Sequence, residues 1–172
     1  MLTVLKSAFS QDLLLTEEEL AAYRITLYSD NEQIPLEGLL TINGLPFDSS
    51  ELFGKYVFIN IGATWCPFCN REKPSIEKLF NIFVYDNFRI LAIYAGERVF
   101  AVRQYTQTNN YSFPAAIDPT DRLRNEYAPR IPTSYILNPD GYIIARINGN
   151  KVWDSDVAVT LLRTIIGQLP IR

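Results

Sequence analysis

Short runs dense in β-branched and aromatic residues alternate along the chain with longer stretches whose apolar positions recur every three or four residues, a pattern that predicts strands and helices in turn. Tyr56 to Ile61 (YVFINI) and Arg89 to Ala95 (RILAIYA) are continuously apolar enough to read as strands buried on both faces. Between them, Ile76, Leu79, Phe80 and Phe83 fall at helical spacing, so a helix is expected from about Cys66 to Phe83 with these side chains toward the core and a kink at Pro74. Glu97 to Thr108 predicts a second helix with Phe100 and Tyr105 inward, Phe113 to Ile117 a short strand, and Thr120 to Tyr127 a short helix. Thr133 to Leu137 and Tyr142 to Ile147 read as strands joined through Asn138-Pro139-Asp140-Gly141, a turn that makes them an antiparallel hairpin. Asp154 to Gln168 predicts a last helix with Val157, Leu161, Leu162, Ile165 and Ile166 as its apolar face.

Upstream, Thr16-Glu17-Glu18-Glu19 is a capping box ahead of Leu20-Ala21-Ala22 and predicts a short helix. Arg24 to Tyr28 reads as a strand, Asp30-Asn31 as a turn, and Asn43-Gly44 within Leu39 to Phe47 as a hairpin. The order is β-α-β-α-β-α-β-β-α after an N-terminal extension. It predicts an α/β fold in which helices cover both faces of a central mixed sheet. The extension, residues 1–34 with a helix and a strand, either adds to the sheet or forms a partner-binding surface, and residues 35–172 form the main domain.

A chain of 172 residues with 48% apolar and 20% charged residues can bury one substantial core. A net charge of −3 offers no footing for nucleic acid. No apolar run approaches the roughly 18 residues that span a bilayer. The opening MLTVLKSAFSQD does not read as a signal peptide, because Lys6 interrupts a short apolar run and Asp12 follows it; a signal or membrane anchor lost from upstream is left open. The chain has no histidine, which excludes Ser–His and Cys–His catalysis and His-ligated zinc or copper. Its 2 cysteines, Cys66 and Cys69, are too few for a four-thiolate zinc site or an iron–sulfur cluster, so no metal and no cofactor is called for.

The chemistry therefore rests on that pair. A free thiol has a pKa of about 8.5, and a helix N-terminus lowers it. Cys66 is expected where a strand ends and a helix begins, under the unpaired N–H groups and positive end of the helix dipole. It is the expected nucleophile, and Cys69, one turn on, the resolving thiol. The plainer alternative is that both sulfurs merely pack in the core.

The segment Gly54 to Pro74, containing Trp65-Cys66-Pro67-Phe68-Cys69-Asn70-Arg71-Glu72, resembles the TlpA/ResA-type, DsbE-like branch of the thioredoxin superfamily. Tyr127 to Gly141, containing Arg130-Ile131-Pro132-Thr133, is similar to the proline loop and following hairpin of that family, and with the element order the likeness covers roughly residues 35–168. The resemblance implies a thioredoxin-like fold and a thiol–disulfide oxidoreductase with an extracytoplasmic, periplasmic home. It implies protein thiols or disulfides as substrates, a membrane or soluble thiol protein as electron donor, and a place in cytochrome c biogenesis. It implies a cis bond before Pro132, facing the dithiol, with Ile131 offering backbone hydrogen bonds to a substrate segment. Glu72 takes the place of a glutamate near the dithiol that could relay a proton to Cys69 and raise the thiol pKa values; the alternative is a solvated charge beside Arg71 and Lys73. Asn60 stands where thioredoxin has a buried aspartate. Trp65 would shield the thiols and, with Pro67 and Phe68, form the docking surface.

The dipeptide Pro67-Phe68 places proline first, as glutaredoxin-like and DsbA-like proteins do, whereas Phe68 offers a thiolate neither charge nor hydrogen bond. The reading is a reductase of protein disulfides, with an oxidase or isomerase as the alternative, across potentials of about −270 to −120 mV. A peroxiredoxin-like peroxidase needs Thr-x-x-Cys after a proline, but Thr64 is only two residues before Cys66. A copper-delivery module needs a histidine, and a non-catalytic scaffold has no need of Cys66, Cys69 and Pro132 together.

Overall fold

A computed structural model of the protein describes residues 16–84 and 86–167, so the opening MLTVLKSAFSQD and Gln168 lie outside the described residues. The chain runs α1 (Glu17–Tyr23), β1 (Ile25–Leu27), β2 (Leu40–Thr41), a 3-10 turn (Ser49–Leu52), β3 (Tyr56–Gly62), α2 (Pro67–Ile82), β4 (Phe88–Ala95), α3 (Val99–Thr108), β5 (Ala115–Asp118), α4 (Arg122–Tyr127), β6 (Thr133–Leu137), β7 (Ile143–Asn148) and α5 (Asp156–Ile165).

The strands form one mixed 7-stranded sheet in the order β1-β7-β6-β3-β4-β5-β2. β3 pairs parallel with β4, and β4 parallel with β5; the remaining ladders are antiparallel. Successive side chains of a strand point to opposite faces, and central β3 distributes its residues accordingly. Phe58 enters the core beneath α2, α3 and α5 with Ile76, Leu79, Val102, Ala158 and Leu162. Val57, Ile59 and Ile61 enter the core on the other face, with Leu123 of α4 and the incoming residues Ile34 and Leu39. Helices thus flank both faces, as the alternation of elements predicts.

The N-terminal segment joins the same sheet. β1 pairs with β7 in the register Ile25 to Ile147, and Ile143 N–H donates to the Glu32 carbonyl at 2.8 Å. Leu40–Thr41, the far edge strand against β5, leads into the Asn43-Gly44 turn, which closes as a tight loop with Gly44 at φ +80°. The capping box at Thr16 is complete, with Glu19 returning a bond to the Thr16 N–H.

Tyr105 of α3 packs on the core, as do Leu161, Leu162 and Ile165 of α5 and Ile166 just after it, while one expected inward residue in each helix faces out. Phe100 is 73% exposed, and α3 buries Val102 and Thr106 instead. Phe100 lies two residues before Val102, roughly 200° around a helix, so both cannot face the sheet. In α5, Val157 is 59% exposed while Ala158, Leu161 and Leu162 are buried at i, i+3 and i+4 spacing. Helix α2 runs continuously through Pro74, whose ring sits on its exposed side.

The contrast is measurable. Phe58 is fully buried and meets Trp153 edge-on at 4.7 Å between ring centres. Phe58→Ala should lower the unfolding free energy in urea by about 3–5 kcal/mol, whereas Phe100→Ala should change it by less than about 0.5 kcal/mol.

Candidate active site

β3 delivers the chain to the site. It ends at Gly62, where a Cβ would lie 3.1 Å from the Cys69 sulfur and 3.3 Å from its Cβ, so any side chain there would push α2 back by a few tenths of an ångström. The connecting loop is held from two sides. Glu97 accepts both the backbone N–H (2.6 Å) and the hydroxyl of Thr64. Asn70 donates to the Thr64 carbonyl at 2.8 Å and accepts from the Tyr105 hydroxyl at 2.9 Å.

Cys66 is the N-cap of α2 and Pro67 its first residue, the position at which a missing N–H costs nothing. The Cys66 sulfur accepts the backbone N–H of Cys69 at 3.2 Å, and the two cysteines form a disulfide with their Cα atoms 5.2 Å apart. Cys69 is wholly buried, and Cys66 retains 4% exposure. Around them Trp65 is 63% and Phe68 54% exposed, with the Arg71 guanidinium stacked on the Phe68 ring 5.1 Å from its centre. The Ile131–Pro132 bond is cis, and Ile131 packs on Ala63, Cys66 and Cys69. The loop is fastened by Gly149 N–H to the Pro132 carbonyl (2.9 Å) and by the Thr133 hydroxyl to the Arg130 carbonyl (2.7 Å). Every residue singled out beside the dithiol, Trp65, Pro67, Phe68, Ile131 and Pro132, therefore lies on α2, its lead-in or the facing loop.

Glu72 is not a solvated helix charge: it is 1% exposed. Its carboxylate accepts from Asn60 Nδ2 (2.7 Å), Trp153 Nε1 (3.0 Å) and the Lys151 N–H (3.2 Å). In this disulfide form its bonds go to groups other than Cys69. Burial raises the Glu72 pKa, and the neighbouring Lys73 charge opposes that rise.

Lys73, read from the sequence only as a neighbour of Glu72, belongs to the same buried network. It has no exposure and donates to Asn60 Oδ1 at 2.5 Å, with its ammonium 4.9 Å from the centre of the Tyr94 ring. A cation on the amide oxygen dictates which end of Asn60 faces Glu72, and the Asn60 amide also donates to the Ser134 hydroxyl at 3.0 Å. Nothing in the periodicity distinguished Lys73 from Arg71, which is exposed. Trp153 was equally silent, because its loop has no repeating pattern. The signal that was available is positional: i+3 and i+4 from a buried Cys69 both fall on the inner side of the helix.

The fold and the paired cysteines define the class, a thioredoxin-fold oxidoreductase of the thiol–disulfide type. The chain belongs to the AhpC/TSA family, whose pattern matches residues 31–146. It is 29% identical over 122 residues to the thiol-disulfide oxidoreductase ResA of Bacillus subtilis, a match covering 70% of this chain and 68% of that one. Among solved structures it is similar to a thiol:disulfide interchange protein of the thioredoxin family from Chlorobium tepidum TLS (TM-score 0.60, 26% identity, 78% of this chain and 99% of that one). Its fold also matches StoA from Bacillus subtilis (TM-score 0.61, 23% identity, 77% and 98%).

The buried lysine makes a signed prediction. Burial pulls Lys73 down from 10.5 to about 8. Between those values the unfolded chain holds a proton that the folded chain has released, so this residue's contribution to stability rises with pH across the window and is lost below about 8. The unfolding free energy of the wild type minus that of Lys73→Met should climb between pH 8 and 10.5 in urea titrations, by at most about 1.4 kcal/mol per pH unit. A flat difference would mean that Lys73 keeps its proton on folding.

Proposed function

We propose that the protein is a reductase of disulfides in other proteins, acting outside the cytoplasm and recharged by a thiol donor protein. Apocytochrome thiols awaiting haem, as in cytochrome c biogenesis, are the kind of client it would keep reduced. The observation that carries this reading is the difference between the two sulfurs. Cys66, at the helix N-cap, keeps a window to solvent, and Cys69 behind it has none. In the reduced protein the Cys66 thiolate attacks one sulfur of the client disulfide, and the other client sulfur leaves as a thiolate and takes a proton. Cys69, deprotonated, then attacks the Cys66 sulfur and expels the second client sulfur. Two electrons pass to the client, and the Cys66–Cys69 disulfide remains for the donor dithiol to reduce.

Direction is supported by what surrounds Cys66. Its thiolate has the helix N-terminus and the Cys69 N–H as stabilising partners, while Pro67 and Phe68 contribute no charge. A weakly stabilised thiolate leaves the disulfide form comparatively stable, which makes a reductant. Glu72 acts in the same sense, because a buried carboxylate one turn beyond Cys69 opposes thiolate formation. Pro132 and Ile131 present the edge on which a client segment would lie, flanked by Trp65 and Phe68.

Equilibration against graded dithiothreitol buffers, followed by tryptophan fluorescence, tests the reading. A potential near that of thioredoxin, about −270 mV, is expected; one near that of DsbA, about −120 mV, would make the protein an oxidant. Cys69→Ser should accumulate a mixed disulfide with client peptides, whereas Cys66→Ser should form none. Glu72→Gln removes the opposing charge and should raise the potential by roughly 10–30 mV. That difference should vanish in acid, where the wild-type carboxyl is protonated.

A further inference from the structure

Beside Phe68 and the proline loop lies an open groove of about 590 Å³ whose lining includes Arg24, Arg130 and Arg146 and no acidic residue. The three cations arrive from separate elements: the C-cap of α1, the loop before β6, and β7. Among the described residues none of them is in an ion pair; the pairs are Lys78–Asp154, Arg124–Asp121 and Arg163–Asp86. The Arg146 Nε is out of water and has no hydrogen-bond partner. A chain of net charge −3 has thus gathered three guanidinium groups that are in no ion pair into one concavity, where their summed positive potential favours an incoming anion.

We propose that this groove selects clients by an acidic segment flanking the disulfide to be reduced. The inference rests on the reductase reading, because it seats the client beside Cys66. Ile131 and Pro132 line the same groove, so a chain laid along that loop with its disulfide at Cys66 would run directly into the arginines. Guanidinium groups pair with carboxylates in a planar, two-bond geometry. Three of them on three elements suit successive Asp and Glu side chains better than a single compact anion. The groove is also bounded by Asn148 and Asn150, whose amides can serve the backbone of an extended segment.

The test uses the whole reduced protein in single-turnover mixing with two cystine peptides, identical except that Asp and Glu flank the cystine in one and Gln and Asn in the other. The acidic peptide should react about tenfold faster at low salt, and the advantage should shrink as salt is added. Arg24→Gln and Arg130→Gln should each bring the ratio of the two rates toward one, and Arg130→Lys should retain part of it. A wild-type ratio near one overturns the proposal, as does inhibition of the acidic peptide's reaction by a single-stranded oligonucleotide of equal charge as strongly as by an acidic peptide lacking cystine. Reduction of hydroxyethyl disulfide by the wild type separates the two levels. If that reaction proceeds without peptide preference, only the groove assignment falls; if no disulfide is reduced, the reductase reading falls.

Discussion

Removing a carboxylate or an ammonium group from water costs several kcal/mol per ion unless hydrogen bonds and opposite charge offset it. This protein does so at two consecutive residues of α2, Glu72 and Lys73, both essentially without exposure. The offsetting groups come from β3 (Asn60) and from the segment ahead of α5 (Lys151, Trp153), while Ser134 of β6 closes the polar set around Asn60. Lys73 in addition faces the Tyr94 ring of β4. Helix α2 therefore cannot slide or rotate on the sheet without stranding a buried charge. Because the same helix begins at Cys66, the network holds the position of both sulfurs from one turn below.

Above the network, the site divides into a closed side and an open one. Gly62 lets Cys69 settle onto the end of β3, and Glu97, Asn70 and Tyr105 hold the loop that precedes Cys66. These contacts keep the inner sulfur out of reach. Trp65 and Phe68 face outward with apolar surface that the core does not use, and the Ile131–Pro132 loop stands opposite. One sulfur is thus reached from outside and the other only from inside, an asymmetry that suits the two-step disulfide exchange proposed above.

The N-terminal segment matters to the site through the sheet. Pairing of β1 with β7 extends the sheet past the proline loop, and the C-cap of α1 leaves Arg24 beside Gly149, at the rim of the groove next to Phe68. The N-terminal segment is thereby part of the sheet and of the rim of the groove proposed to receive a client.

What the amino-acid order alone determined is local. The capping box at Thr16, the buried runs of β3 and β4, the turn at Asn138 to Gly141 and the placement of Cys66 at a strand-to-helix junction are each specified by near neighbours, and each is present in the fold. Periodicity located the helices and most of their inward residues, but it placed Phe100 of α3 and Val157 of α5 on the wrong side, because a short helix with scattered apolar residues has more than one plausible edge to its apolar face. The exposure of Phe100 and the burial of Val102 are settled only by the sheet they meet. Tertiary structure alone decided that Lys73 is buried, that Trp153 reaches Glu72 across a separation of 81 residues, and that Arg24, Arg130 and Arg146 share one groove. The physical reason is the range of the interactions. Caps and turns act over a few residues, whereas the environment of a charge is set by whatever the completed sheet brings beside it.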